Sequence, residues 1–126
     1  MKFLPILCLL LFLAIPSSSA GAAVFDEYEE LINLANQLNR EGKYSEALEK
    51  CAQATLMRPD DYRPHAISGF VYKAQEKMKS ASEAFGRAIE RNPKLKPLYI
   101  EKAKADDRRQ AKEEAVATCR KLLEID

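Results

Sequence analysis

Apolar residues recur along this chain at helical spacing, segment after segment. "EELINLANQL" sets Leu31, Leu34, Ala35 and Leu38 on one stripe, the rhythm of an amphipathic helix. Gly42 interrupts it, and a second stripe runs through Tyr44, Ala47, Leu48, Cys51 and Thr55. Pro59, Asp60 and Asp61 end that stripe and offer capping groups to the next element. Pro64 falls in the following first turn, where its missing N–H does little harm. Ser80 and Glu83 have capping-box spacing at the start of a fourth helix, and Pro97 opens a fifth. No segment shows the two-residue alternation of a strand. The pattern predicts six helices, near 26–40, 44–57, 61–75, 80–92, 97–107 and 110–124.

The stripes are copies of one another. "SEALEKCAQATLMRP" and "SASEAFGRAIERNP" place small residues, bulky residues and a closing proline alike. Stepping by 34 residues aligns Ala47, Ala81 and Ala115, and likewise Ala35, Gly69 and Ala103. Cys51, Phe85 and Cys119 form a further column, Leu38 and Tyr72 another, and Pro59 and Pro93 close their units.

These columns resemble the tetratricopeptide repeat, a helix–turn–helix unit of about 34 residues with small residues at the helix crossing and a terminal proline. Residues 62–95 match best, through Gly69, Tyr72, Ala81, Phe85, Ala88 and Pro93. Residues 28–61 match through Leu31, Leu34, Ala35, Leu38, Ala47, Ala54 and Pro59. In residues 96–126 Tyr99, Ala103 and Ala115 fit, while Lys102, Asp106 and Lys112 stand where apolar residues are wanted. The resemblance implies an all-α fold, a right-handed α-solenoid of about three helical hairpins spanning 26–126. One hairpin cannot bury its stripe alone, so stacked copies supply the core. The polar third unit reads as a terminal repeat that favours solubility, with a frayed first helix as the alternative.

The first 22 residues belong to a different grammar. Lys2 is followed by an apolar run to Ile15, then Pro16, three serines and a cluster of small residues. That is a secretory signal peptide. The run is shorter than the roughly 20 apolar residues of a membrane span, and Leu7 before Cys8 does not suit a lipoprotein cysteine. The expected protein is therefore exported, periplasmic or secreted, with no membrane insertion of its mature part. Its charge is balanced, +1 over the whole chain, which argues against nucleic acid as a partner. Acidic side chains gather in 24–61 and basic ones in 62–95, as solvated helix faces do.

Candidate chemistry is sparse. His65 is the only histidine, and its column, with Leu31 and Tyr99, puts it on a packed face. No histidine or cysteine pair has metal-ligand spacing, and the four glycines are scattered rather than gathered in a phosphate loop. No nucleophile, base and orienting group come together. No enzyme and no cofactor is expected. Cys51 and Cys119 share the Phe85 column, so both are expected to be buried, reduced and too far apart to pair.

Function then rests on the resemblance, which implies a protein-interaction module. First helices of such repeats line a concave groove that holds a peptide or helix of a partner protein. Carried over, the groove residues are Ile32, Asn36, Ile67, Phe70, Lys73, Ile100 and Lys104. One branch of the family clamps acidic C-terminal tails with Lys, Asn and Arg. Only Asn36 stands at such a position here, the others being Ile32, Ile67, Pro97 and Glu101, so that activity is not implied. The alternative is a structural protein that self-associates into a homo-oligomer through its terminal helices, with Leu122, Leu123 and Ile125 partly exposed.

Overall fold

The computed structural model describes residues 19–126, and side chains from residue 27 onward. It contains six helices: α1 (Ser19–Arg40), α2 (Tyr44–Met57), α3 (Arg63–Ala74), α4 (Met78–Arg91), α5 (Lys96–Arg108) and α6 (Lys112–Leu123). Each packs against its chain neighbours, and α1 also touches α3. The result is an α-solenoid of three stacked hairpins. The expected signal peptide lies, up to residue 18, outside the described residues. The first helix starts at Ser19, earlier than expected.

Proline and local polar groups shape the starts. Pro64 and Pro97 occupy the first turns of α3 and α5, as their fixed φ favours. The expected capping box does not form. Helix α4 begins at Met78, with Lys77 as its cap residue, so Ser80 already lies inside the helix. Asp61 does serve the next helix, accepting from the Arg63 backbone N–H at 2.9 Å.

All three hairpin turns are built alike. Lys43, Lys77 and Ala111 donate backbone N–H groups to the carbonyls of Leu38, Tyr72 and Asp106, at 2.8, 2.9 and 2.8 Å. This six-to-one bond is the signature of a Schellman turn, which needs one residue with positive φ. That residue is Gly42 in the first unit, at φ 76°, but Glu76 and Gln110 in the others, at 60° and 64°.

The core divides into two clusters. Tyr28, Ile32, Ala35, Leu38, Ala47, Cys51 and Ala54 of the first hairpin close on Ile67 and Val71 of α3. Ala66, Met78, Ala81, Phe85 and Ala88 of the second hairpin close on Leu98 and Ala105 of α5. Each unit thus completes its core with the first helix of the next. An ion-paired strap ties the first two units: Arg63 reaches Glu29 at 3.0 Å and Asp61 at 3.0 Å. Arg58 and Arg63 both lie against the ring of Tyr28, at 4.3 and 5.2 Å from its centre. Burial and the neighbouring Asp61 push the Tyr28 phenol up to about 12.

Two readings of the third unit are corrected. Helix α5 is fully formed, and Asp106 and Lys102 turn into the seam rather than to water, while Lys104, Asp107 and Arg108 are exposed. Asp106 is fully buried. It accepts hydrogen bonds from Ser82 at 2.5 Å, Lys102 at 2.9 Å and Arg109 at 3.0 Å. Lys102 also donates to Ser82 at 2.9 Å. Burial alone would raise the Asp106 carboxyl; the three donors outweigh it and hold it below its ordinary value. The seam between units two and three is therefore ionic in its interior, whereas the ion pair of the seam before it, Arg63 with Glu29, is partly exposed. The second correction is Cys119, which is exposed while Cys51 is buried. The column faces a following unit, and no helix covers α6 among the described residues.

Candidate functional site

Helices α1, α3 and α5 lie side by side, and the residues nearest their common line form a groove. A hollow in it of about 440 Å³ is lined by Asn36, Asn39, Arg40, Phe70, Lys73, Ala74 and Arg108. Gly69 faces Phe85 of α4, so Phe70, about 100° further round the helix, turns toward this groove. Phe70 is 42% exposed. Its inner edge rests on the Phe85 ring, with centres 5.1 Å apart and planes at 80°. The ring is thus held in one orientation by the core beneath it while its outer part meets solvent.

Polar groups surround that ring. Lys73 lies 6.0 Å from its centre and bridges α3 to α5 by an ion pair with Glu101 at 2.7 Å. Lys104 also reaches Glu101, at 3.6 Å. Asn36 donates its amide to the Ile32 carbonyl one turn back, at 3.2 Å. The buried Asn39 side-chain oxygen has no hydrogen-bond partner in the protein. Arg108 closes the far end, paired with Glu76 at 2.5 Å. Three cations, two amides and one aromatic ring therefore share one concave surface.

The expected groove residues divide. Asn36, Phe70 and Lys73 line the hollow together. Lys104 is exposed beside it through Glu101. Ile32 and Ile67 are not on the surface: each is only 6% exposed and both belong to the first core cluster. Adjacent first helices approach closely enough to draw these columns into their seam, so neither side chain can meet a partner in this conformation. Ile100, 41% exposed, shares the column of Ile32 and Ala66, both buried. Its exposure reflects the missing cover of a following helix. Asn39 shares the repeat column of Lys73. Arg40, Ala74 and Arg108 were not anticipated. They form one column, four residues beyond Asn36, Phe70 and Lys104, and so one turn further along the same face.

His65 is buried, with no partner for its Nε2 atom. Burial, and then Arg91 and Arg87, hold its imidazole below the ordinary value, against a smaller opposite pull from Glu90. The charged groups that act on it, Arg87, Glu90 and Arg91, belong to α4 of its own hairpin, and it is not part of the groove lining. Among the described residues no group of three or more His, Cys, Asp or Glu side chains could hold a metal ion. No described helix is long and apolar enough to cross a membrane.

The hairpin stack is shared with solved structures. The chain has the TPR-like fold. It is similar to the type III secretion translocator chaperone SycD of Yersinia enterocolitica, with a TM-score of 0.71 and 19% identity over 79% of this chain and 75% of that one. The first TPR of Spaghetti (RPAP3), bound to the HSP90 peptide SRMEEVD, superposes with a TM-score of 0.70 and 21% identity over 79% of each chain. MamA of Desulfovibrio magneticus RS-1 gives a TM-score of 0.70 and 18% identity over 78% of this chain and 55% of that one. No protein-family model and no curated protein sequence matches the chain.

Proposed function

We propose that this protein is an exported interaction module that holds a peptide or helix of a partner protein in the groove of α1, α3 and α5. The carrying observation is Phe70. A half-exposed aromatic ring, fixed from below and ringed by cations and amides, is the kind of anchor that dominates binding energy in protein interfaces. The TPR-like fold supports the reading, as does the peptide on the Spaghetti (RPAP3) domain. Export rests on the residues before Ser19, and the compartment is periplasmic or extracellular.

A photo-crosslinking amino acid tests the site. Placed at Arg40, which is exposed in the groove lining, it should capture a partner in the native compartment. Placed at Leu56, which is 83% exposed on α2, it should not. Equal capture from both positions, or capture from Leu56 alone, would overturn the groove. Sequencing the amino terminus of protein recovered from fractionated cells tests export; a chain still beginning at Met1 in the cytoplasm would sink that part.

A further inference from the structure

The outer face of the last hairpin is built to be covered. Ala47 and Ala81 are fully buried, and Cys51 and Phe85 are at most 2% exposed, because a following helix packs near them. At the equivalent positions Ala115 is only half-buried and Cys119 is exposed. Val116 and Leu123, on the same side of α6, are 50% and 85% exposed. Between α5 and α6 lies an open trough of about 420 Å³, lined by Ala103, Ala115, Val116, Cys119 and Leu123 together with the charged Lys104, Asp107 and Arg120. The first two units show what such a trough receives: an apolar helix face.

A second copy has two faces to offer, and they differ. The face that docks in α3 is Pro64, Ile67 and Val71, and in α5 it is Leu98, Glu101 and Ala105. The same columns of α1 hold Glu30, Asn33 and Gln37, all exposed. Seating these on the apolar trough would strip water from a carboxylate and two amides without returning partners. Head-to-tail stacking is therefore disfavoured. Helix α6 itself carries what the trough lacks. Val116, Cys119 and Leu123 have the three-then-four spacing of a coiled-coil seam. Asp107 is the one acid of the trough beside two bases, Lys104 and Arg120, so a two-fold mate can set its Arg120 against Asp107.

We propose that this face pairs with the same face of a second copy, the two α6 helices crossing antiparallel about a two-fold axis near Cys119. Such an interface is isologous and closed. The assembly stops at two and leaves Asn36, Phe70 and Lys73 of each groove outside the interface.

The test is sedimentation of the exported chain, without its proposed signal peptide, under reducing conditions, from about 1 to 100 µM, since an oligomer's apparent stability depends on concentration. A monomer–dimer equilibrium is expected, with no larger species. Val116→Glu and Leu123→Glu should each weaken it by at least about tenfold, since each buries an unpaired charge. Both side chains are largely exposed in the single chain, so melting in the dilute, monomeric range should stay unchanged. A short bismaleimide should link Cys119 to Cys119 of the partner subunit, as peptide mapping would read. A monomer throughout, mass that grows past two copies, or a dimer indifferent to both charges would each overturn the proposal. So would a dimer without the Cys119 link.

Discussion

Gly69 yields its side-chain space to Phe85. A Cβ atom at Gly69 would lie 2.6 Å from Cε1 of that ring and 2.7 Å from Cδ1. The first unit solves the same crossing with Ala35 and Cys51, a larger residue against a smaller one. Gly69→Ala should therefore destabilise the protein by about 1–3 kcal/mol through overpacking. Helix propensity alone would have favoured alanine by about 1 kcal/mol. Phe85→Cys should make Gly69→Ala tolerable, because it restores the pairing of the first unit. Urea unfolding of the two single variants and the double variant reads the coupling. Additive effects would mean that the two residues do not share that space.

Asp106 is the fully buried acceptor of Ser82, Lys102 and Arg109, so Asp106→Ala should cost about 3 kcal/mol or more by leaving those donors unpaired. Exchanging Asp106 and Lys102 together for leucine, as the first unit has at Leu38 and Leu34, should cost much less. The carboxyl is held below its unfolded value, so its contribution is complete above about pH 4 and is lost as pH falls through the lower folded value. The acid limb of the stability curve should flatten in the double-leucine variant. An unchanged limb would show that other carboxylates carry it.

Repeats were legible because a solenoid writes each contact once per unit. The columns of Ala47 and Gly69 report helix crossings directly, and six helices follow from stripe and breaker alone. Ile32 and Ile67 were misplaced for a geometric reason. Whether a residue flanking the groove faces partner or neighbour depends on the spacing and tilt of adjacent first helices, which no single stripe encodes. Asp106 was read as a sign of a solvated end because its partners come from three places: Ser82 on α4, Lys102 one turn back, and Arg109 after the helix. The column of Phe85 correctly marked a packed face, yet Cys119 is exposed, since a column says what a face is for and not whether anything covers it.

Gln110 holds φ at 64° in the last hairpin turn, where the first unit uses Gly42. A left-handed conformation costs a residue with a Cβ about 1–2 kcal/mol, partly offset by the larger chain entropy of glycine when unfolded. Gln110→Gly should stabilise by about 0.5–1 kcal/mol, and Gly42→Ala should destabilise by about 1 kcal/mol. Thermal melts of the two variants should move in opposite directions. Movement in the same direction would contradict the shared turn.

His65 ties stability to mildly acidic pH. Its folded value lies below that of the unfolded chain, so folding favours the neutral ring. Its stabilising contribution is complete above the unfolded value of about 6.5 and declines as pH falls from there toward the folded value. His65→Leu, the residue of the first unit's column at Leu31, should remove that decline while keeping an apolar face. Melting temperatures from pH 7.5 to 5.5 should fall in the parent and hold steadier in the variant. Parallel curves would free His65 from this role.

Phe70 and Phe85 meet edge to face, and that contact decides how far the groove is part of the core. Such pairs contribute about 0.5–1.5 kcal/mol beyond the area they bury. Phe85 is fully buried, whereas Phe70 is 42% exposed. Phe85→Leu should therefore be the costlier change, and Phe70→Leu should cost no more than about 1 kcal/mol, mostly the lost ring contact. Combining them should cost less than the sum, by about the value of that contact, because the second substitution has no ring left to lose. Partner capture should respond only to Phe70→Leu at temperatures where both variants are folded. If the two substitutions add without coupling, the Phe70 ring is not anchored by the core, and its fixed orientation in the groove must come from somewhere else. If Phe70→Leu proves as destabilising as Phe85→Leu, the ring belongs to the core, and the groove must find its anchor among Asn36, Lys73 and Arg108.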